Sequence, residues 1–112
     1  MRQKFVSIII PTYKDWDRLS LCLNSLNEQS YSHDSFEIIV VNNYTVDKIP
    51  KGYFIPDNCK VILEEKPGSY AARNTGIASS TGSIIAFTDS DCIADRDWIA
   101  NGVRFMESDN DC

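Results

Sequence analysis

The sequence predicts an α/β fold with a mainly parallel sheet and flanking helices. Its strand-sized apolar runs, at residues 5–10, 36–41 and 83–88, are nearly continuous, as in strands that a parallel sheet buries on both faces. Amphipathic helical segments lie between these runs, and the resulting order β-α-β-β-α-β-α implies parallel pairing. With 112 residues, 43% of them apolar and 24% charged, the chain has the composition of one globular domain.

The first predicted strand covers residues 5–10 and is ended by Pro11, which has no backbone N–H to donate. After a short turn, Asp15 is expected to cap a helix. The apolar residues of this helix recur at i, i+3, i+4 and i+7, which is one face of an amphipathic helix. We expect that face to pack on the sheet; it carries Leu19, Cys22, Leu23 and Leu26.

The second predicted strand, residues 36–41, ends at Asn42 and Asn43, and a shorter third strand covers residues 61–63. Between them, residues 44–58 contain two prolines and a glycine and lack a helical period. We therefore predict an irregular loop, although a βαβ unit often has a helix at this place.

A second helix is predicted to open at residues 67–69 and to run to about Ala78. Gly76 lies inside it and costs about 1 kcal/mol relative to alanine, so we expect a strand or ligand to approach closely there. The fourth strand covers residues 83–88. The last helix runs from residue 95 to about 107, and one of its faces carries Ile99, Val103 and Met106.

Composition excludes several classes of protein. The net charge of −5 provides no basic stripe, so nucleic acid is not expected as the main partner, although a single nucleotide stays compatible. The four widely spaced cysteines include no C-x-x-C pair, which argues against zinc and redox motifs and for free thiols. No apolar run approaches the ~20 residues of a membrane span, so we expect a cytoplasmic protein, with a peripheral position at the inner face of the membrane left open.

Polar clusters follow three of the predicted strands. In open α/β sheets, ligands bind beyond the carboxyl ends of the strands. We therefore expect the clusters to meet in one crevice. They are Pro11-Thr12-Tyr13 after the first strand, Asn42-Asn43 after the second and Asp89-Ser90-Asp91 after the fourth.

Asp89 and Asp91 indicate a metal site, because two carboxylates one residue apart can present hard oxygens to Mg²⁺ or Mn²⁺. Such a cation on a diphosphate would neutralise the charge of a leaving nucleoside diphosphate. The alternative is that these aspartates, with Asp95, cap turns or a helix start. Short motifs of this kind match by chance often, so D-x-D alone does not decide between the two.

The helix opened by Gly68 carries Arg73 and Asn74, which can face a diphosphate or a sugar. The alternative is a surface ion pair of Arg73 with Glu64, Glu65 or an aspartate, worth about 0 to 1 kcal/mol.

Asn42 and Asn43 can read a base edge or close an Asx-turn, and the residue types leave both open. His33 has no Cys or His near it in the sequence, which favours a solvated side chain over a catalytic base. Tyr13, Tyr70 and Trp98 can stack on a base or acceptor, but partial burial against the sheet is the expectation for each.

Taken in order, these segments resemble the start of the inverting family 2 glycosyltransferases, which have a GT-A (Rossmann-like) fold. Order and spacing agree along almost the whole chain, which makes the match more specific than any single motif. The matching segments are residues 6–13, 22–26 with Gln29, 37–43, 72–77 and 88–91.

The resemblance implies transfer of a sugar, with inversion, from a nucleoside-diphosphate-sugar donor to an acceptor such as a saccharide or lipid-linked saccharide. It also implies Mg²⁺ or Mn²⁺ on the donor diphosphate, with Asp91 as metal ligand and Asp89 facing the ribose and the metal. Arg73 is expected to approach the donor phosphates or sugar. The residues expected to bind the donor are Pro11, Thr12, Tyr13, Asn42, Asn43, Arg73, Asp89 and Ser90.

Two departures from the family pattern matter. Many members have aspartate at one or both positions of Asn42-Asn43, so the donor base stays open. The family's catalytic base is a carboxylate in the acceptor half, downstream of residue 112, and neither Asp95 nor Asp97 is assigned that role. We therefore expect residues 1–112 to be the truncated, donor-binding part of a GT-A domain whose sheet is incomplete at its C-terminal side.

The alternative is a non-catalytic nucleotide-sugar-binding or assembly module with the same fold. The absence of the expected base and the short chain favour it, and an unfilled sheet edge would favour self-association.

Overall fold

The computed structural model describes residues 3–109, which form one four-stranded sheet with helices on both faces. A short 3₁₀ helix, His33–Ser35, precedes the second strand. The other elements, in chain order, are β1 (Val6–Thr12), α1 (Trp16–Asn27), β2 (Phe36–Asn42), β3 (Cys59–Leu63), α2 (Ser69–Ser79), β4 (Ile84–Phe87) and α3 (Trp98–Asp109).

The sheet has the strand order β3-β2-β1-β4, and neighbouring strands are parallel throughout the described residues. β1 and β2 occupy its centre, where Ile8 pairs with Ile38 and Ile10 with Val40. The apolar side chains of both central strands are buried on both faces. The predicted α/β fold with a mainly parallel sheet is confirmed.

Helices cover the two faces unequally. On one face, α1 packs the predicted stripe of Leu19, Cys22, Leu23 and Leu26 against β1 and β2, and α3 adds Ile99 and Val103 to the same core. On the other face, a smaller core joins Ala72 of α2 to Ile9, Ile39 and Val41. Met106, which the sequence places on the same face of α3, is 45% exposed and lies outside this core.

Pro11 does not end β1, contrary to the prediction. The strand continues to Thr12, whose carbonyl accepts a hydrogen bond of 2.9 Å from the Asn43 N–H. Alternate residues of a central strand bond to opposite neighbours. The backbone nitrogen of Pro11 therefore points toward the β4 side of β1. Pairing with β4 stops at Ile9 and Phe87, so the N–H that proline lacks removes no hydrogen bond between the strands.

The segment of residues 44–58 contains neither helix nor strand, as predicted. Side chains hold it against the start of α1 instead. The Trp16 indole donates a hydrogen bond of 2.7 Å to Asp47, and the Tyr53 hydroxyl donates one of 2.6 Å to the Trp16 carbonyl. These contacts fix a long connection without regular structure.

The last helix begins three residues later than predicted. The Asp95 carbonyl accepts from the Trp98 N–H in a turn, so residues 95–97 precede the helix. The first turn of α3 is completed by Gln29, whose Oε1 accepts from the Ile99 N–H at 3.0 Å. Gln29 follows the end of α1, so it joins the end of one helix to the start of the other.

The outer strands are less covered than the central ones. Leu63 on β3 and Ile85 and Phe87 on β4 are between 38% and 58% exposed. Self-association through such an edge stays a prediction. None of the helices in the described part of the chain is both long and apolar enough to cross a membrane.

A partly buried hydrogen-bond network at the amino end of the sheet joins β1, β2 and the loop before β4 through Glu37. Its carboxylate accepts hydrogen bonds from the Ser7 hydroxyl (2.6 Å), the Thr81 N–H (2.9 Å) and the Thr81 hydroxyl (3.1 Å). The Ser7 oxygen in turn accepts from the Gly82 N–H. Partial burial raises the pKa of Glu37, but the hydrogen bonds outweigh it and the pKa lies below the ordinary value of 4.5.

We expect Glu37→Gln to lower the free energy of unfolding by about 1 kcal/mol at neutral pH. The folded-state pKa is below that of the unfolded chain, so this stabilisation is present above pH 4.5 and is lost as the pH falls through the folded value. Urea unfolding of both proteins from neutral pH to about pH 3 measures it. A difference between the two proteins that stays constant over this range would contradict the prediction.

Candidate functional site

Residues of all three polar clusters, at the ends of β1, β2 and β4, line one cavity, as the sequence predicts, although Asn42 and Asp91 are not among them. The cavity has a volume of about 160 Å³ and lies at the carboxyl edge of the sheet, beside the first residue of α2. Its lining residues are Pro11, Thr12, Tyr13, Asn43, Ser69, Asp89 and Ser90.

A larger hollow, of about 370 Å³, lies at the opposite, amino edge, around His33 and Asp57. The His33 imidazole is exposed and bonds to the Asn27 carbonyl. The larger hollow contains none of the three clusters, so volume alone does not locate the functional site.

Asp89 and Asp91 are exposed and lie close together, whereas Ser90 between them is buried. One carboxylate oxygen of each aspartate and the Cys92 sulfur lie within 4.8 Å of one another. The hard carboxylate oxygens suit Mg²⁺ or Mn²⁺, and the softer sulfur does not. The residues present therefore fit a divalent cation held by the two carboxylates.

Two arginines flank the acidic pair. The Arg73 guanidinium lies 3.7 Å from Asp89, and that of Arg18 lies 4.0 Å from Asp91. Arg73 thus makes the predicted surface ion pair, and its partner is itself a candidate site residue. Sequence reasoning missed Arg18, because nothing in the sequence connects it to a residue 73 positions away.

The first residue of α2, Ser69, lies at the cavity. Gly68, at its N-cap position, has φ +106° and no side chain with which to cap the first turn, and its own N–H is bonded to the Asn43 Oδ1. The turn carries no acidic residue, and Arg73 donates a hydrogen bond of 3.4 Å to the Ser69 hydroxyl. Uncapped N–H groups and the helix dipole favour an anion at such a position.

Thr12 has a hydroxyl without a hydrogen-bond partner in the described residues, although the residue is only 3% exposed. Buried polar groups are almost always satisfied, and an exception next to a cavity points to a ligand or water. The predicted role of Thr12 beside a ligand is consistent with this orphaned hydroxyl.

The two asparagines bond to the protein's own backbone. The Asn42 Oδ1 accepts from the Tyr44 N–H at 3.0 Å, which is an Asx-turn, and the residue is buried. Asn43 donates to the carbonyls of Glu64 and Lys66, and its Oδ1 accepts from the Gly68 N–H at 2.9 Å. Asn43 therefore holds the segment that leads into α2, which sequence reasoning did not foresee.

Two of the three aromatic residues are more exposed than expected. Trp98 is half-buried, as predicted, but Tyr13 is 57% and Tyr70 78% exposed, so burial against the sheet is wrong for these two. Tyr13 packs edge to face on Tyr44, with ring centroids 5.3 Å apart. The Lys14 ammonium lies 4.4 Å from the Tyr44 centroid.

Three cysteines are free thiols, as predicted, and Cys112 lies outside the described residues. Burial raises the pKa of Cys22 to about 11 and that of Cys59 to about 12, which makes both thiols unreactive at neutral pH. Cys92 is exposed beside the acidic pair.

The chain is similar to known glycosyltransferases. The family model described as glycosyl transferase family 2 matches residues 7–112. Among curated proteins, glycosyltransferase AglE of Haloferax volcanii is 41% identical over 104 residues, which cover 88% of this chain and 34% of AglE.

Two solved structures have the same fold. The mannosyltransferase PcManGT from Pyrobaculum calidifontis, in complex with GDP-Man and Mn²⁺, is 27% identical with a TM-score of 0.79 and matches 95% of this chain and 33% of its own. TarS 1-349 of S. aureus, in complex with UDP-GlcNAc, is 25% identical with a TM-score of 0.73 and matches 93% of this chain and 31% of its own.

The parallel sheet with its flanking helices matches the GT-A (Rossmann-like) fold. Because the family model matches nearly all of it, the chain belongs to glycosyl transferase family 2. It spans about a third of the length of AglE, PcManGT and TarS 1-349.

Proposed function

We propose that this chain forms the donor-binding part of an inverting glycosyltransferase that uses a nucleoside-diphosphate sugar and a divalent cation. The observation that carries the proposal is the meeting, around one cavity, of two carboxylates, an uncapped helix start and an orphaned hydroxyl. Cation ligands and anion-binding groups side by side suit a metal diphosphate.

Asp89 and Asp91 are the proposed ligands of Mg²⁺ or Mn²⁺. When bound, the cation would supply Lewis-acid stabilisation of the charge that develops on the departing nucleoside diphosphate. The presence of Mn²⁺ with GDP-Man in PcManGT supports the choice of cation.

The other groups of the cavity bind and orient the donor in this proposal. The first N–H groups of α2 and the Arg73 guanidinium face the negatively charged diphosphate, with the guanidinium released from its exposed pair with Asp89. Pro11, Thr12 and Tyr13 border the nucleotide, and the Thr12 hydroxyl gains a partner there.

The donor base stays open in this proposal, because the two similar structures contain GDP-Man and UDP-GlcNAc respectively. The Asn43 amide is already bonded to three backbone groups, so it is not the proposed reader of the base. The acceptor, a saccharide or lipid-linked saccharide, and the carboxylate that removes its proton are assigned to the acceptor half that the family resemblance places downstream of residue 112.

Calorimetric titration with UDP-, GDP- and dTDP-sugars, each with and without Mn²⁺, tests the proposal. We expect Mn²⁺-dependent binding of at least one donor, with a dissociation constant between about 1 µM and 1 mM, the usual range for enzyme substrates. Chelation of the metal should remove the binding. Failure of all three donors to bind with Mn²⁺ present would overturn the proposed donor site.

A further inference from the structure

Asp15 occupies the N-cap position of α1 without capping it. Its backbone angles, φ −131° and ψ 36°, are not those of the usual cap, and within the described residues its carboxylate receives no N–H of the first turn. One carboxylate oxygen instead accepts a hydrogen bond of 2.8 Å from the Ser90 hydroxyl, 75 residues away. The other lies 3.5 Å from the Arg18 Nε. Asp15 thus makes a tertiary contact with Ser90 in place of a cap on α1.

The contact with Ser90 acts on the acidic pair because Ser90 is its middle residue. Ser90 is only 9% exposed and directs its hydroxyl inward to Asp15, while Asp89 and Asp91 on either side are exposed. The Cys92 N–H closes the turn by donating to the Asp89 carbonyl at 3.0 Å. An inward anchor at the centre of this turn leaves the two carboxylates together on its outer side.

Arg18 adds a charge to the same arrangement. It lies one helical turn after Asp15 and reaches both Asp15, through Nε, and Asp91, through Nη1 at 4.0 Å. A cation that binds to Asp91 would have to compete with this guanidinium. Asp15 and Arg18 therefore have opposite consequences for metal binding.

We propose that Asp15 is a positioning residue for the metal site: through the Ser90 hydroxyl it holds Asp89 and Asp91 in the orientation that binds a cation, while Arg18 is the counter-ion that the cation displaces. This inference rests on the proposed function, and it adds to it Asp15, at the N-cap position of α1, and Arg18 in the first turn of that helix.

The experiment measures Mn²⁺ affinity of the purified protein without nucleotide, from the electron paramagnetic resonance signal of free Mn²⁺, together with the thermal midpoint of each variant without metal. Ser90→Ala changes no charge, and it should weaken Mn²⁺ binding by about tenfold, the lower end of the effect of outer-shell partners. Asp15→Ala should weaken it similarly, and the double variant should be little worse than either, because both remove the same contact.

Three further variants separate positioning from charge. Asp15→Asn keeps an oxygen that can accept from Ser90, so it should bind Mn²⁺ more tightly than Asp15→Ala does. Asp17→Asn removes the same charge from an exposed neighbour and should leave Mn²⁺ affinity within about twofold of the parent, as expected for a screened surface charge. Arg18→Gln should tighten binding by about two- to fivefold, because an exposed pair of this kind is weak.

Unchanged Mn²⁺ affinity in both Ser90→Ala and Asp15→Ala would overturn the inference while leaving the proposed function intact. Equal weakening in Asp15→Ala, Asp15→Asn and Asp17→Asn would also overturn it, because net charge would then explain the result. A loss of affinity that occurs only with a loss of the folded state would do the same. Absence of Mn²⁺ binding to the parent protein would overturn both the metal site and this inference.

Discussion

Asp91→Asn is expected to abolish the Mn²⁺-dependent binding of nucleotide sugars. The side chain keeps its shape but loses the negative charge that a divalent cation requires of its ligand. Since outer-shell partners already cost about 10–100-fold in metal affinity, loss of a direct ligand should cost at least about 100-fold. Titration of Mn²⁺ and of the donor sugar into the parent and the variant measures the effect.

Asp97→Asn is the matched control for this substitution. Asp97 is an exposed aspartate six positions after Asp91 and lies outside the cluster formed with Asp89 and Cys92. The Asp97→Asn variant should bind Mn²⁺ and the donor sugar as tightly as the parent protein does. Equal losses in the two variants would show that bulk negative charge, rather than a specific ligand, attracts the cation, and would contradict the assignment of Asp91.

Gly76→Ala is expected to lower the free energy of unfolding by about 1–3 kcal/mol, the usual cost of overpacking a core. A Cβ at this position would lie 2.5 Å from the Cγ2 of Ile9, which is fully buried in the central strand β1. The β-branched Ile9 side chain has little rotamer freedom with which to give way. Urea unfolding at neutral pH measures the loss.

Gly102→Ala is the same substitution inside α3, where among the described atoms nothing lies within 4 Å of the added methyl group. It should stabilise the protein by about 0.5–1 kcal/mol, because alanine has the higher helix propensity and restricts the unfolded chain. Effects of opposite sign from one chemical change would separate close packing from propensity. A stabilising Gly76→Ala would contradict the close approach of α2 and β1.

The elements that the sequence predicts well are those whose signal is local. The strands β1 and β2 are visible as continuous apolar runs, because both of their faces are buried. The apolar stripe of α1 repeats with the helical period, because only one face of this helix is buried. The helix-propensity cost of Gly76 is also a local signal; it predicts a close approach of a strand or ligand, and β1 is the element that approaches. The errors at Pro11 and at the start of α3 arise where a partner strand or a distant side chain decides the boundary.

The meeting of the polar clusters could also be predicted, because parallel strands bring their carboxyl ends to one edge. The contacts between the clusters could not. Arg18 on Asp91 and Asp15 on Ser90 join residues more than 70 positions apart, and each has an ordinary local explanation as a surface charge or a helix cap. Local propensity cannot reveal that a capping carboxylate has turned to a distant hydroxyl.

The amino-acid sequence by itself determined the α/β class, the parallel direction of the main strands and the edge at which the polar residues gather, since all three follow from hydrophobic period and chain direction. The tertiary structure alone decided which partner each polar side chain has: Asn43 bonds to the backbone before α2, Ser90 bonds to Asp15, and Arg73 pairs with Asp89. The physical reason is the separation in sequence of the residues that interact. A burial pattern is visible in neighbouring residues, whereas hydrogen bonds and ion pairs form between groups that only the folded chain brings together.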